Sequence, residues 1–178
     1  MDIGSLAKLI ETGYYQSFSE CVIAYIVSEI LKGLSYLHKR YIIHRDIKSD
    51  NILVSSDGSI KLADFGYAAQ LTQESQKRHS KVGTICWMAP EIIKGEESYT
   101  EKVDIWSLGV ILQELIYGEP PFINMEQTKV CFMILTQPVV QLDKNKFSAE
   151  LIDLVLSCLR KNYQERPSAE QLLQHPFF

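Results

Sequence analysis

Cysteine is scarce in this 178-residue chain, and Cys21, Cys86, Cys131 and Cys158 never form a C-x-x-C pair. That scatter leaves no zinc spacing, and it reads as reduced, mostly buried thiols of a cytosolic or nuclear protein rather than a disulfide framework. Glycine is sparse too. None of the nine has another two residues away, so no G-x-G-x-x-G phosphate loop is present. Positive charge is in deficit, with 18 Lys and Arg against 22 Asp and Glu and a formal net charge of −4. A general grip on nucleic acid, which wants a basic face, is therefore not expected. No apolar run reaches the ~20 residues that span a bilayer. The opening MDIGSLAKL has neither a signal-peptide pattern nor the Met-Gly of myristoylation, so no membrane partner is expected.

What is present is an ordinary globular composition. With 46% hydrophobic and 22% charged residues, one sizeable core is within reach and two would be cramped. From Ser17, which forms a capping box with Glu20, the residues Ile23, Ile26, Val27, Ile30, Leu31, Leu34 and Leu37 recur at helical spacing down to His38. NILV and SIKLA read as short strands joined by SSDG, where Asp57-Gly58 is a hairpin signal. Residues 66–88 are polar and weakly periodic, a long loop of the kind that tends to be functional. YTEKVDIWSLGVILQELIYG starts at a Thr100 cap and is apolar on nearly every side through Leu115, so it belongs in the middle of a domain. Pro120 and Pro121 forbid its continuation. One further helix runs from Ser148 with Leu151, Leu154, Val155, Cys158 and Leu159 inward, and another follows Pro167 with Ser168 and Gln171 as a second capping box. The expectation is a single, mainly α domain over residues 1–178, with six or seven helices and about one β-hairpin.

The loops carry more. IIHRDIKSDNILV sets His44, Arg45, Asp46, Lys48, Asp50 and Asn51 between two apolar flanks, and Asp64 of ADFG follows Asn51 by thirteen positions. Then come Glu91 of WMAPE, Asp104 of DIWSLG and Arg166 of ERPS. Any one of these is weak. H-R-D-x-K-x-x-N, D-F-G and A-P-E, in order and in these loop contexts, are very specific. On them the chain resembles the C-terminal, large lobe of a eukaryotic Ser/Thr protein kinase over essentially its whole length. HRDIKSDNILV, DFGYAAQLT, KVGTICWMAPE and KVDIWSLG are most similar to the PAK-like kinases of the STE group, which small GTPases activate.

The resemblance implies transfer of the γ-phosphate of ATP to protein serine or threonine hydroxyls, with Mg²⁺ as cofactor. It assigns Asp46 to accept or orient the hydroxyl proton, and Lys48 to neutralise charge on the transferring phosphoryl. Asn51 and Asp64 supply hard oxygen ligands for the metal. Lys48 and Thr84 match the alcohol-specific kinases rather than the tyrosine kinases, and Thr84 would bridge Asp46 and Lys48. Leu53, flanked by Leu6, Ile111 and Leu115, would floor the adenine pocket. His44 and Phe65 resemble the lower members of the spine that stacks in active kinases. Glu91 and Arg166 resemble a buried ion pair, and Asp104 a holder of the catalytic-loop backbone. Ser80, in QKRHSKVGT, falls where relatives carry an activating phosphate, which adds about −1.5 to −2 charges and would pair with Arg45. Asp50 and Glu114 match positions that read arginine upstream of the acceptor, implying protein substrates with basic residues near the target. Tyr67, after D-F-G, accompanies Ser over Thr as acceptor.

Two further parts of such an enzyme are missing from the sequence: the glycine-rich cover and a V-A-I-K strand lysine. The β-rich N-terminal lobe is therefore expected to be absent, and MDIGSLAKL resembles the segment just after the hinge between lobes. Without closure to exclude water, little catalysis is expected from these residues alone. Two explanations stand side by side. One is a piece of a longer kinase; the other is a non-catalytic module that docks substrate peptides or regulatory partners. No GTPase-binding segment is visible, so regulation of that kind would act through residues outside the chain. A bare lobe is also expected to expose apolar surface.

Overall fold

In the computed structural model, which describes residues 1–70, 85–96, 99–138 and 142–178, the strongest helical pattern becomes the longest helix, α2 (Glu20–His38). Its cap is not Ser17. Ser17 closes a preceding 3-10 turn and donates its hydroxyl to the Tyr14 carbonyl at 2.7 Å, while Ser19 caps the helix by accepting from the Val22 N–H. Glu20 is no capping-box partner either. Its carboxylate accepts from the backbone N–H and the hydroxyl of Ser148, at 2.8 and 2.5 Å, and so pins the start of α6 (Ala149–Cys158). By length and composition alone α2 could cross a membrane, although Glu20, Glu29 and Lys32 interrupt its apolar residues. Here it is an amphipathic core helix: Ile23, Ile26, Val27, Ile30, Leu31 and Leu34 are buried on one face, and the Glu29–Lys32 pair sits on the other.

The helix read as apolar on every side, α4 (Lys102–Tyr117), is buried at every residue from Val103 to Leu115. Its N-cap is Glu101 rather than Thr100, whose hydroxyl accepts from the Lys102 N–H at a long 3.4 Å. Gly118, at φ 85°, ends it in the left-handed conformation that suits glycine. Gly109 lets α6 lie directly on α4: a Cβ there would stand 2.7 Å from Leu159 Cδ2. Leu151, Leu154, Val155, Cys158 and Leu159 face inward, as their spacing predicts. The remaining helices are α1 (Leu6–Glu11), α3 (Pro90–Lys94), α5 (Gln127–Thr136) and α7 (Ala169–Leu172), the last with the expected Ser168–Gln171 capping box.

Two small antiparallel sheets replace the single expected hairpin. β3 (Ile52–Val54) and β4 (Ile60–Leu62) form the hairpin, with Gly58 at φ 84° in its turn and β1 (Gly4–Ser5) added along β3. β2 (Ile42–Ile43) pairs with β5 (Ala69–Gln70), inside the stretch read as loop. The two sheets bracket residues 44–51 and 63–68 in sequence, and α4 reaches the first of these stretches through Asp104 and Glu114. The base is tied to α3 by Glu91 and Arg166, which form two hydrogen bonds of 2.8 and 3.1 Å with both side chains buried. Arg166 also donates to the carbonyls of Arg160 and Lys102 and lies 5.2 Å from the Trp106 ring centre, so its charge is fully partnered. Removing one member of such a pair costs ~3–5 kcal/mol.

Candidate active site

The site begins with Asp104 in the first turn of α4. Its fully buried carboxylate accepts the backbone N–H of His44 (2.9 Å) and of Arg45 (2.8 Å), and the Nε2–H of His38 (2.8 Å). This grip holds a strained backbone, because Arg45 has φ 68°. A left-handed non-glycine residue costs ~1–3 kcal/mol and persists only where its surroundings impose it. The next residue is Asp46.

His44 fastens this loop to the D-F-G segment. Its Nε2–H donates to the Ala63 carbonyl at 3.0 Å, which leaves Nδ1 to accept, at 3.4 Å, from the Asp46 N–H. Its ring lies 4.9 Å from that of Phe65, tilted by 55°, so the two expected stacking partners do meet. Phe65 is nevertheless 48% exposed. His44 is a buried staple with both nitrogens engaged.

Asp46, Lys48 and Asn51 converge. Asp46 Oδ2 lies 3.2 Å from Lys48 Nζ and accepts from Asn51 Nδ2 at 2.9 Å. The same Nδ2 donates to the Asp46 carbonyl at 2.8 Å, so the Asn51 amide is oriented with Oδ1 turned away from these contacts. Across the mouth of the hairpin, the Ala63 N–H donates to the Asn51 carbonyl at 2.9 Å, one residue before Asp64. Asp64 is exposed, has φ 59°, and accepts the Gly66 N–H on Oδ1 at 3.1 Å. Asn51 Oδ1 and Asp64 Oδ2 are hard oxygen donors and fit Mg²⁺, which takes one or two protein oxygens and fills its other positions with phosphate and water. No cluster of three or more His, Cys, Asp or Glu is present among the described residues, so a dedicated all-protein cage is not offered.

Other expected site residues are placed less simply. Leu53 is half-buried on β3, paired with Ser5 of β1 next to Leu6, while Leu6, Ile111 and Leu115 lie in the hydrophobic core. Arg45 donates to the Tyr67 carbonyl at 2.6 Å and to the Tyr99 hydroxyl at 2.9 Å. Ser80 and Thr84, named for the phosphosite and the Asp46–Lys48 bridge, lie outside the described residues. Asp50 faces solvent as expected, but Glu114 does not. Only 4% exposed, it accepts the Ser49 hydroxyl at 2.5 Å and the Trp87 Nε1–H at 2.8 Å. The reading of Glu114 as an arginine-reading acid is corrected to a sealed link between Ser49 and the segment leading into α3. Burial pushes its carboxyl up to about 7, and the nearby Asp50 charge adds to the rise. His38, Ser49, Trp87 and Tyr99 were not singled out from the sequence. The signal for them was indirect: an acid inside a helix with no polar face has to find donors somewhere.

The protein kinase domain family matches residues 1–178. The serine/threonine-protein kinase pakB of Dictyostelium discoideum is 50% identical over 175 residues, which cover 98% of this chain and 20% of that protein. Its relative pakC from the same organism is 49% identical over 98% of this chain and 36% of its own length. The serine/threonine-protein kinase PAK 1 of Mus musculus is 47% identical over 87% of this chain and 28% of its own length. The chain thus spans between about a fifth and about a third of these relatives.

Proposed function

The chain belongs to the protein kinase family, and we propose that it transfers the γ-phosphate of ATP to serine or threonine hydroxyls of proteins. The observation that carries this reading is the meeting of Lys48 Nζ and Asn51 Nδ2 on one oxygen of Asp46, 3.2 and 2.9 Å away. Phosphoryl transfer needs positioning and charge neutralisation more than covalent chemistry. Asp46, held by both neighbours, orients the attacking hydroxyl and takes its proton. Lys48 offsets negative charge on the phosphoryl in flight. Asn51 and Asp64 would hold Mg²⁺, which when bound neutralises phosphate charge. Thr84 is proposed as a further brace of Asp46 and Lys48, and Leu53 as the apolar floor under the adenine. Ser80 is the proposed regulatory phosphosite, with Arg45 its partner once the contacts to Tyr67 and Tyr99 are exchanged. Asp50 is the accessible acid proposed to favour basic residues in the substrate. Control by small GTPases would act through residues beyond these.

The test is incorporation of labelled phosphate from ATP and Mg²⁺ into myelin basic protein by the purified chain, beside its Asp46→Asn variant. Turnover is expected to be weak, since no glycine-rich cover is present in the sequence, and Asp46→Asn should lower it at least about 100-fold. Equal labelling by the variant, with ATP still bound, would refute the assignment of Asp46. If neither protein labels substrate or binds ATP, the chain is instead a docking module for peptides.

A further inference from the structure

At the C-terminal end of α4 the chain turns back on itself around a cavity of about 320 Å³. Tyr117, Pro121, Phe122, Ile123 and Met125 form much of its wall, and Glu119 is the one charged residue among the described residues that line it. None of these belongs to the group formed by Asp46, Lys48 and Asn51. The turn is tightly built. Gly118 ends the helix at φ 85° and leaves room for the Tyr15 ring directly against that end. Two prolines follow, and then Phe122 at φ 64°. A bulky residue in left-handed backbone is a genuine outlier, and such outliers gather at binding sites. Here Phe122 packs against the core, and its carbonyl accepts the Met125 N–H at 3.0 Å. Tyr117, Ile123 and Met125 are left 44%, 42% and 36% exposed around the same cavity. Single exposed apolar residues are ordinary; three about one cavity mark a binding surface.

The chemistry of the walls narrows what binds. The volume lies at the small end of the ~300–1,000 Å³ of ligand pockets, and suits one large side chain better than a cofactor. Met125 supplies a flexible, polarizable wall that adapts to an aromatic ring. Burial and the nearby Asp143 charge push the Tyr117 hydroxyl up, so that ring stays neutral. Glu119 lines the cavity, Glu126 follows Met125, and Asp143 acts on Tyr117. None of the three forms an ion pair among the described residues, Lys129, Lys144 and Lys146 included. Unpaired acids beside an apolar hollow disfavour an anion and favour a basic partner. We propose that this cavity is a docking pocket for a large apolar side chain of a protein substrate, flanked there by Arg or Lys that faces Glu119. That the occupant is a substrate rests on the kinase reading above; the pocket adds a second point of attachment away from the acceptor hydroxyl. α4 joins the two places, because Glu114, three residues before Tyr117, holds Ser49, three residues after Asp46.

The test is a titration of the chain, carrying ¹³C-methyl methionine, with the capped peptide Arg-Gly-Phe-Gly-Arg at low ionic strength and without ATP. The Met125 methyl signal, assigned through Met125→Leu, is expected to shift saturably. Arg-Gly-Ala-Gly-Arg should bind about tenfold or more weakly, since the buried ring is gone. Glu119→Gln should weaken the phenylalanine peptide about two- to fivefold, and Glu-Gly-Phe-Gly-Glu should bind less tightly than its arginine counterpart. Ile123→Asp should cost at least about tenfold, whereas Leu156→Asp, at a site 50% exposed on α6, should cost nothing. Asp46→Asn is expected to bind the peptide as the parent does, which separates docking from chemistry. Lost phosphate labelling with binding intact would sink the kinase reading alone; labelling with an unmoved Met125 methyl would sink the pocket alone. Equal binding of the alanine or glutamate peptide, or indifference to Ile123→Asp, would overturn the proposal. So would self-association of the free chain that Ile123→Asp abolishes, which would give the cavity to a second copy.

Discussion

Both ends of α4 bury a carboxylate, and the two are handled differently. At the N-terminal end, Asp104 receives two backbone N–H groups and an imidazole N–H. At the C-terminal end, Glu114 receives one hydroxyl and one indole N–H from side chains, with the Ser49 backbone N–H as a weaker third donor. The helix dipole works in the same direction, favouring an anion in the first turn and opposing one in the last. The two backbone donors at Asp104 are fixed by the fold they help to hold, whereas Glu114 leans chiefly on side-chain donors, which rotate. Burial therefore dominates at Glu114, whose carboxyl sits near 7, half-protonated in neutral solution. The N-terminal end is a permanent clamp on the backbone of His44 and Arg45. The C-terminal end is a link whose charge depends on pH.

The largest effect should come from breaking the clamp. Asp104→Asn keeps the shape but turns an NH₂ group toward donors, so at least one buried N–H is orphaned and another opposed. At ~1–3 kcal/mol for each unsatisfied group, about 4 kcal/mol of stability is expected to go, read by urea unfolding. A loss below ~1 kcal/mol would mean that the His44 and Arg45 N–H groups find other acceptors. Next comes the pH dependence of Glu114. Its folded value of about 7 lies above the ordinary 4.5, so the folded chain holds more protons between those limits. Stability from this group is fully present below pH 4.5 and is lost as pH rises through 7, by up to ~3 kcal/mol. Glu114→Gln cannot ionise, so its unfolding free energy should fall less than the parent's between pH 5 and pH 8. Parallel curves for the two proteins would place the Glu114 charge elsewhere.

Much of this contrast lay in plain view along the chain, and some of it did not. α4 was legible because a helix apolar on every side has one place to go. Asp46, Lys48 and Asn51 were named from a motif resemblance, and the structure brings their side chains into contact. The length of residues 20–38 was legible too, though not its cap, since Ser17 and Ser19 both offer a hydroxyl at the right distance and only the 3-10 turn at Tyr14–Ser17 decides between them. β2 and β5 are two residues each, too short for alternation to register, and are held by backbone pairing that side chains do not advertise. The contacts of His38 with Asp104 and of Glu20 with Ser148 join residues 66 and 128 positions apart, with no local pattern to predict them. Glu114 was misread for a related reason. Its position suggested an acid that meets substrate, while its neighbours on a helix without a polar face already required it to be enclosed.

The smallest change probes that enclosure directly. Ser49→Ala removes the hydroxyl that donates to Glu114 Oε1 and leaves the Trp87 contact in place. Above pH 7 the carboxylate then loses one donor in a buried site while keeping the Trp87 indole N–H and the backbone N–H of residue 49, and a hydrogen bond to a charged group is worth about 1.5 kcal/mol or a little more. Near pH 5 the carboxyl is neutral and can turn its own O–H outward, so the loss should shrink to roughly 0.5–1 kcal/mol. The variant should therefore steepen the pH dependence that Glu114→Gln flattens, because losing a donor to the charged form raises the folded pKa further. In the double variant the steepening should vanish, leaving a coupling of about 1 kcal/mol at pH 8 in a double-mutant cycle of unfolding free energies. A cycle that closes at zero would mean that Ser49 and Glu114 touch without depending on one another. Residues 44–51 would then be held from the N-terminal end of α4 alone.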